Sequence, residues 1–330
     1  MNTAQPLTHA RIGLVLGSGS ARGLAHLGVV RALDEAGLHC HCIVGSSMGA
    51  LVGAICAAGK QDQLTATFQA FDWRRTLSFF DVVLPRSGLI DGARVSELVR
   101  EHVGSARIED LPVRFAAVAT DLMTGQEVAL QSGDLIEAVR ASISVPGIFT
   151  PVRHNGSILV DGGLVNPVPV SVARAMGADV VIAVDLNHEI VAGKNFRPLL
   201  SGQAEAGSTA VTLPDAAPWL ASYRRAMHEL RERLQASDWA KGLALAHGVA
   251  PATHEPQPSI FEVLLASINV METRITQTRL ALEPPDLLIQ PALGHIRFLE
   301  FARADELIQI GYDAAQRALA QWSGARAVGG

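Results

Sequence analysis

Gly45-Ser46-Ser47-Met48-Gly49 places a serine between two glycines, the G-x-S-x-G spacing of a nucleophile elbow. An elbow requires a strand that runs straight into a helix. Leu38 to Val44, rich in apolar and β-branched residues, supplies the strand, and Met48 to Ala58, rich in small residues, supplies the helix. A serine on so tight a turn has a strained backbone and little room beside it, which accounts for Gly45 and Gly49 and would expose Ser47 Oγ to a substrate carbonyl.

A serine nucleophile needs a base for its proton and hydrogen-bond donors for the oxyanion. His154, His188, His228, His247, His254 and His295 all follow Ser47, but none sits in a loop after a late strand, where an α/β-hydrolase keeps its histidine. The stronger candidate is acidic. Asp161, in Val160-Asp161-Gly162-Gly163, follows a strand and two glycines that permit a sharp turn at the sheet end. Burial would raise its pKa and let it accept the serine proton directly, although the same residues also read as a plain Asp-Gly turn. For the donors, Gly17-Ser18-Gly19-Ser20-Ala21-Arg22-Gly23 lies between a strand and a helix, where backbone N–H groups converge on an anion. A dinucleotide loop would want glycine at position 22, which is Arg22, and an acidic residue closing the strand at His39–Val44, which is missing. An ordinary strand–helix turn is the remaining reading. Arg22 either adds positive charge beside the loop or pairs with a core carboxylate.

The elements that must carry these residues alternate. Strands are expected at Ile12–Leu16, His39–Val44, Arg114–Thr120, Ser157–Val160 and Val180–Asp185, with helices at Leu24–Ala36, Met48–Ala58, Ala93–His102, Leu135–Ser142 and Pro169–Met176. That order predicts an α/β fold with a mostly parallel central sheet covered by helices. Residues 187–258 then turn rich in Ala, Pro, Gly and Ser with no strand pattern, which suggests an inserted segment acting as a lid. Within it, Trp219, Tyr223, Ala226, Met227, Leu230 and Leu234 share one helical face, while Arg224, Arg225, Arg231 and Arg233 fall mostly elsewhere. Such an amphipathic helix at 218–235 docks onto the body or touches a membrane surface. A helix at Ile260–Leu280, a strand at Asp286–Gln290 and a helix at Ala302–Ser323 follow. One domain over 1–330 is expected, with its core at about 10–190 plus 260–322.

Composition narrows the partners. With 18% charged residues and a net charge of −5, the 330-residue chain has no strong basic field, so nucleic acid is not an expected partner. Its three cysteines, Cys40, Cys42 and Cys56, sit in apolar segments and read as reduced core residues. His39-Cys40-His41-Cys42 has the residue types of a metal site, but along a strand these alternate faces, so no metal is expected. The apolar run Ile12–Leu16 is too brief for a signal peptide and no long apolar span occurs. A cytoplasmic protein, able to lie peripherally on a membrane, is expected.

Three blocks together carry a family resemblance: Gly17–Gly23 with the following Leu24-Ala25-His26-Leu27-Gly28-Val29, Gly45–Gly49, and Asp161-Gly162-Gly163. Their order and spacing, with 114 residues between Ser47 and Asp161, resemble the patatin-like phospholipases, the bacterial cytosolic branch most closely and neuropathy target esterase more distantly. Arg140-Ala141-Ser142-Ile143-Ser144-Val145-Pro146-Gly147-Ile148-Phe149 extends the likeness. The resemblance implies a three-layer patatin-type fold and a Ser–Asp dyad without histidine or cofactor, acting on lipid acyl esters. It makes Ser47 the nucleophile, Asp161 its base, and Gly17, Ser18, Gly19 and Ser20 the oxyanion loop beside Arg22. Where many members have a run of glycines, this chain has Gly-Ser-Gly-Ser, which backbone donors tolerate.

Overall fold

In a computed structural model the described residues are 10–70, 92–191 and 260–328. All belong to one compact unit that joins residues 1–199 to 260–330. The amphipathic helix expected at 218–235, and the rest of the expected insertion apart from residues 187–191, lie outside the described residues.

Eight strands form one sheet. They are β1 (Ile12–Leu16), β2 (Cys40–Ser46), β3 (Arg114–Asp121), β4 (Glu127–Leu130), β5 (Val152–His154), β6 (Ser157–Asp161), β7 (Val180–Val184) and β8 (Leu287–Ile289). Their order is β5-β6-β3-β2-β1-β7-β8, with β4 paired to β3. β3, β2, β1, β7 and β8 run parallel, so the turns leaving β1, β2 and β7 open at the same sheet edge. β4, β5 and β6 join antiparallel, which brings the end of β6 to the last residues of β3.

β1 and β7 are interior strands of the sheet and every one of their residues is buried, as continuous apolar runs covered on both faces must be. Leu14 and Leu16 enter the larger core, under α1 (Ala25–Glu35), α2 (Met48–Ala57), α4 (Ala93–Val103) and α5 (Leu135–Ser142). Val15 enters a smaller core with Val44, Val118 and Ala183, covered by α6 (Val170–Ala175). α1 packs very closely on α9 (Ala304–Val328): a Cβ on Gly28 would stand on the Ile308 carbonyl, and one on Gly311 on the Ala25 carbonyl. Side chains at those two positions would push the helices apart.

Among the described elements, α3 (Gln61–Gln69), β4 and β5 were not foreseen, nor was the one-turn helix that follows β7. α3 has two buried anchors, Leu64 and Phe68, too few for a periodic signal, and the two strands are four and three residues long. The single turn α7 (His188–Val191) falls within the first residues of the expected insertion, and α8 (Ile260–Leu282) begins just after its end. The cysteines are free thiols. A register shift opposite Ile12 and Gly13 sends Cys40 toward the larger core and Cys42 into the smaller, so the two sulfurs face opposite sides of the sheet. Among the described residues, no helix is long and apolar enough to cross a membrane, and no cluster of His, Cys, Asp or Glu is placed to hold a metal ion.

Candidate active site

β2 ends at Ser46 and α2 begins at Met48, so Ser47 is the whole connection. Its backbone sits at φ 55°, ψ −124°, a positive φ that a residue with a Cβ adopts only under constraint. The flanking glycines are there for space. A Cβ on Gly45 would stand on the Gly49 carbonyl, and one on Gly49 on the Leu16 carbonyl at the end of β1. Ser142, at the end of α5, pins the strained turn: its Oγ accepts the Ser47 N–H at 2.9 Å and donates to the Val118 carbonyl at 2.5 Å.

Asp161 is the last residue of β6 and only 1% exposed. Ser47 Oγ donates to its Oδ2 at 2.5 Å, and its Oδ1 accepts the Gly163 N–H at 2.7 Å. The Gly162-Gly163 pair opens a single 3-10 turn, Gly162–Leu164, and the room there is short as well, since a Cβ on Gly162 would stand on the Val118 carbonyl. Burial pushes the Asp161 carboxyl well above the usual aspartate range, while the hydrogen bonds from Ser47 and Gly163 pull it back. The histidines weighed as bases serve elsewhere: His154 meets Glu137 at 2.9 Å and His295 meets Glu306 at 3.0 Å. His188 lies on α7, and His228, His247 and His254 lie outside the described residues.

The loop after β1 divides its donors. Gly17 N–H is spent on the Val184 carbonyl at 3.1 Å and Ser18 N–H on the Pro167 carbonyl at 2.9 Å. Ala21 N–H goes to Phe298 and Arg22 N–H back to Gly19. Among the described residues, this leaves the N–H groups of Gly19 and Ser20 without partners. Arg22, 3% exposed, draws the Gly19 carbonyl toward itself through Nε at 3.2 Å and reaches Asn269 Oδ1 through Nη2 at 3.1 Å. Because a trans peptide points its C=O and N–H in opposite directions, the Ser20 N–H faces away from Arg22. Burial lowers the guanidinium to about 10, against the opposing charges of Glu272 and Asp185. Arg22 thus lies near carboxylates without a close ion pair among the described residues. His26, fully buried, donates Nε2–H to the Gly17 carbonyl at 2.8 Å, and burial lowers it to about 4, so it is neutral.

Ser47 and Ser20 open on one cavity whose other walls are apolar, among them Leu51, Ile148, Phe149 and Phe298. Sequence reasoning missed Ser142, Asn187 and Glu272 as parts of this site. Ser142 stood within Arg140–Phe149 without a task, and nothing in the sequence set Glu272 apart from a solvent-exposed helical glutamate.

A family model of the patatin-like phospholipases matches residues 14–174, which places the chain in a class of lipid ester hydrolases. An uncharacterised NTE family protein of Mycobacterium tuberculosis is 34% identical, across 94% of this chain and 91% of that protein. The chain belongs to the NTE family of patatin-like phospholipases. The lysophospholipase NTE1 of Pyricularia oryzae is 27% identical across 94% of this chain, which spans 18% of that larger protein. The crystal structure of VipD from Legionella pneumophila aligns over 95% of this chain and 67% of its own, with 14% identity and a TM-score of 0.42, a likeness too distant to add to the assignment.

Proposed function

We propose that the protein hydrolyses lipid acyl esters through a Ser47–Asp161 dyad. The observation that carries the reading is the 2.5 Å hydrogen bond from Ser47 Oγ to a buried carboxylate whose basicity burial has raised. Ser47 Oγ forms a bond to the acyl carbon as its proton passes to Asp161 Oδ2. The carbonyl oxygen, now negative, is received by the N–H groups of Gly19 and Ser20. When the ester C–O bond breaks, Asp161 returns the proton to the leaving alcohol. Water then attacks the acyl-serine and gives a proton to Asp161, which passes it to Ser47 Oγ as the serine C–O bond breaks and a fatty acid is released.

Apart from Ser20 and Ser47 the cavity is lined by apolar side chains, which suit a hydrocarbon acyl group and offer little to a polar one, and this favours a lipid over a small polar ester. A lysophospholipid is the first substrate to test, since the Pyricularia oryzae relative is named a lysophospholipase. A fluorophosphonate probe should label the wild-type protein and not Ser47→Ala. A lipid panel read by mass spectrometry should show fatty acid release by wild type alone. Label or fatty acid release that survives Ser47→Ala would remove the serine from its role.

A further inference from the structure

Glu272 lies midway along α8 on the stripe that faces inward. Leu265, Ile268, Glu272 and Thr276 are buried, whereas Val263, Val270 and Met271 are exposed. A carboxyl on a buried helix stripe is costly unless it is hydrogen-bonded, and one oxygen of this one accepts two bonds. Its Oε2 accepts from Ser18 Oγ at 3.2 Å and from Asn187 Nδ2 at 3.3 Å. Ser18 directly precedes the two free N–H groups, so this grip lies next to the donors that would receive the oxyanion. Oε1 lies against the turn after β6. A Cβ on Gly163 would stand on it and 3.0 Å from Asp161 Oδ1, so position 163 must be glycine for the two carboxyls to approach. One side chain therefore touches both the oxyanion loop and the turn that carries the base, and the proposed reaction has no step for it.

We propose that Glu272 is a positioning residue of this hydrolase: uncharged, it ties the Ser18 loop to the Asp161 turn, and ionised, it opposes the negative charge that must form at Gly19 and Ser20. The inference rests on the Ser47–Asp161 reading. Among the described residues, the charged and titratable groups around it are few. Asp161 faces it from β6 and Arg22 from the loop after β1, with Asp185 beyond Arg22. On α7, Glu189 is turned to the Gly294 N–H and His188 is half-buried. His26 is neutral, and Arg274 of α8 itself is exposed. Burial first, and then the charge of Asp161, push the Glu272 carboxyl upward, while Ser18, Arg22 and Asn187 act the other way. Two carboxyls this close do not lose their protons together, and the loss that leaves both ionised falls at higher pH than the first. That second loss adds a buried negative charge beside the oxyanion loop, where it raises the barrier.

The test is the pH profile of p-nitrophenyl ester hydrolysis by the full chain, from about pH 5 to about pH 10, with wild type, Glu272→Gln and Glu272→Ala. Glutamine keeps the shape and an acceptor for Ser18 and Asn187 but cannot ionise. It should hold kcat near neutral pH within about threefold of wild type and abolish the alkaline fall of kcat. Alanine leaves Ser18 and Asn187 unpaired and should lower kcat about tenfold with KM little changed. An alkaline fall that persists in Glu272→Gln would overturn the inference, as would a wild-type kcat in Glu272→Ala. If the alanine variant does not fold, the glutamine profile decides alone. Fluorophosphonate labelling that survives Ser47→Ala is a separate failure, which removes the nucleophile and this inference with it.

Discussion

The turns that leave β1 and β2 are neighbours at one sheet edge, begin from parallel strands, and each holds a serine at positive φ, Ser20 at 50° and Ser47 at 55°. They differ in what they leave exposed. The β2 turn is a single residue, its N–H fixed on Ser142, and it offers a side-chain oxygen. The β1 turn spends the side chains of Ser18 and Arg22 on structure, Ser18 on Glu272 and Arg22 on Gly19 and Asn269, and among the described residues keeps two backbone N–H groups free. Strain at one turn aims an atom that only serine supplies, whereas strain at the other aims atoms that every residue but proline carries. Substitution should therefore be decisive at 47 and mild at 20.

The largest contrast is between Ser47→Ala and Ser20→Ala. The first should lower kcat by about 10³-fold or more and the second by less than about tenfold, because the Ser20 N–H survives. Equal losses in an ester assay would erase the distinction between the turns. Next comes Asp161→Asn, expected to cost about 10²- to 10⁴-fold in kcat by removing the proton acceptor. Asp161 also has a signature in stability. Its folded pKa is raised, so the stability it contributes is full below its unfolded value and is lost as pH rises through the folded value. Wild type should lose thermal stability across that window, and Asp161→Asn should lose less; parallel Tm curves would contradict the raised carboxyl. Gly49→Ala should destabilise by about 3 kcal/mol in chemical unfolding, since its Cβ would meet the backbone of Leu16. Near-wild-type stability there would mean that the elbow is looser than its glycines suggest. The smallest effect is expected for Ser20→Gly, which removes the left-handed penalty and should stabilise by about 1 kcal/mol or less, with activity nearly kept.

Much of this was legible because the fold repeats strand, tight turn and helix, and each turn has its own residue signature. The elbow glycines marked positions where backbone meets backbone, and Asp161 followed an apolar strand as a charge at a sheet end must. The donors were legible only as a loop. Gly17 and Ser18 were expected to serve the oxyanion, but their N–H groups are taken by the carbonyls of Val184 and Pro167, residues far away in the chain. Arg22 was expected to add charge beside the loop or to pair with a carboxylate; it bonds the Gly19 carbonyl and Asn269 and senses Glu272 and Asp185 without a close ion pair. Glu272 stayed hidden because a glutamate on a long helix looks solvent-exposed until the neighbours of that helix are known.

The sequence by itself determined the parallel α/β order, the serine at a strand–helix junction and an aspartate at the end of a later strand, since these follow from local periodicity and turn chemistry. Only the tertiary structure decided that Ser47 Oγ and Asp161 Oδ2 are 2.5 Å apart, that the donors left free among the described residues are Gly19 and Ser20, and that Glu272 stands between the loop and the base. The physical reason is that hydrogen-bond partners, burial and the charge of neighbours depend on which strands become adjacent in the sheet, and chain order alone does not set that.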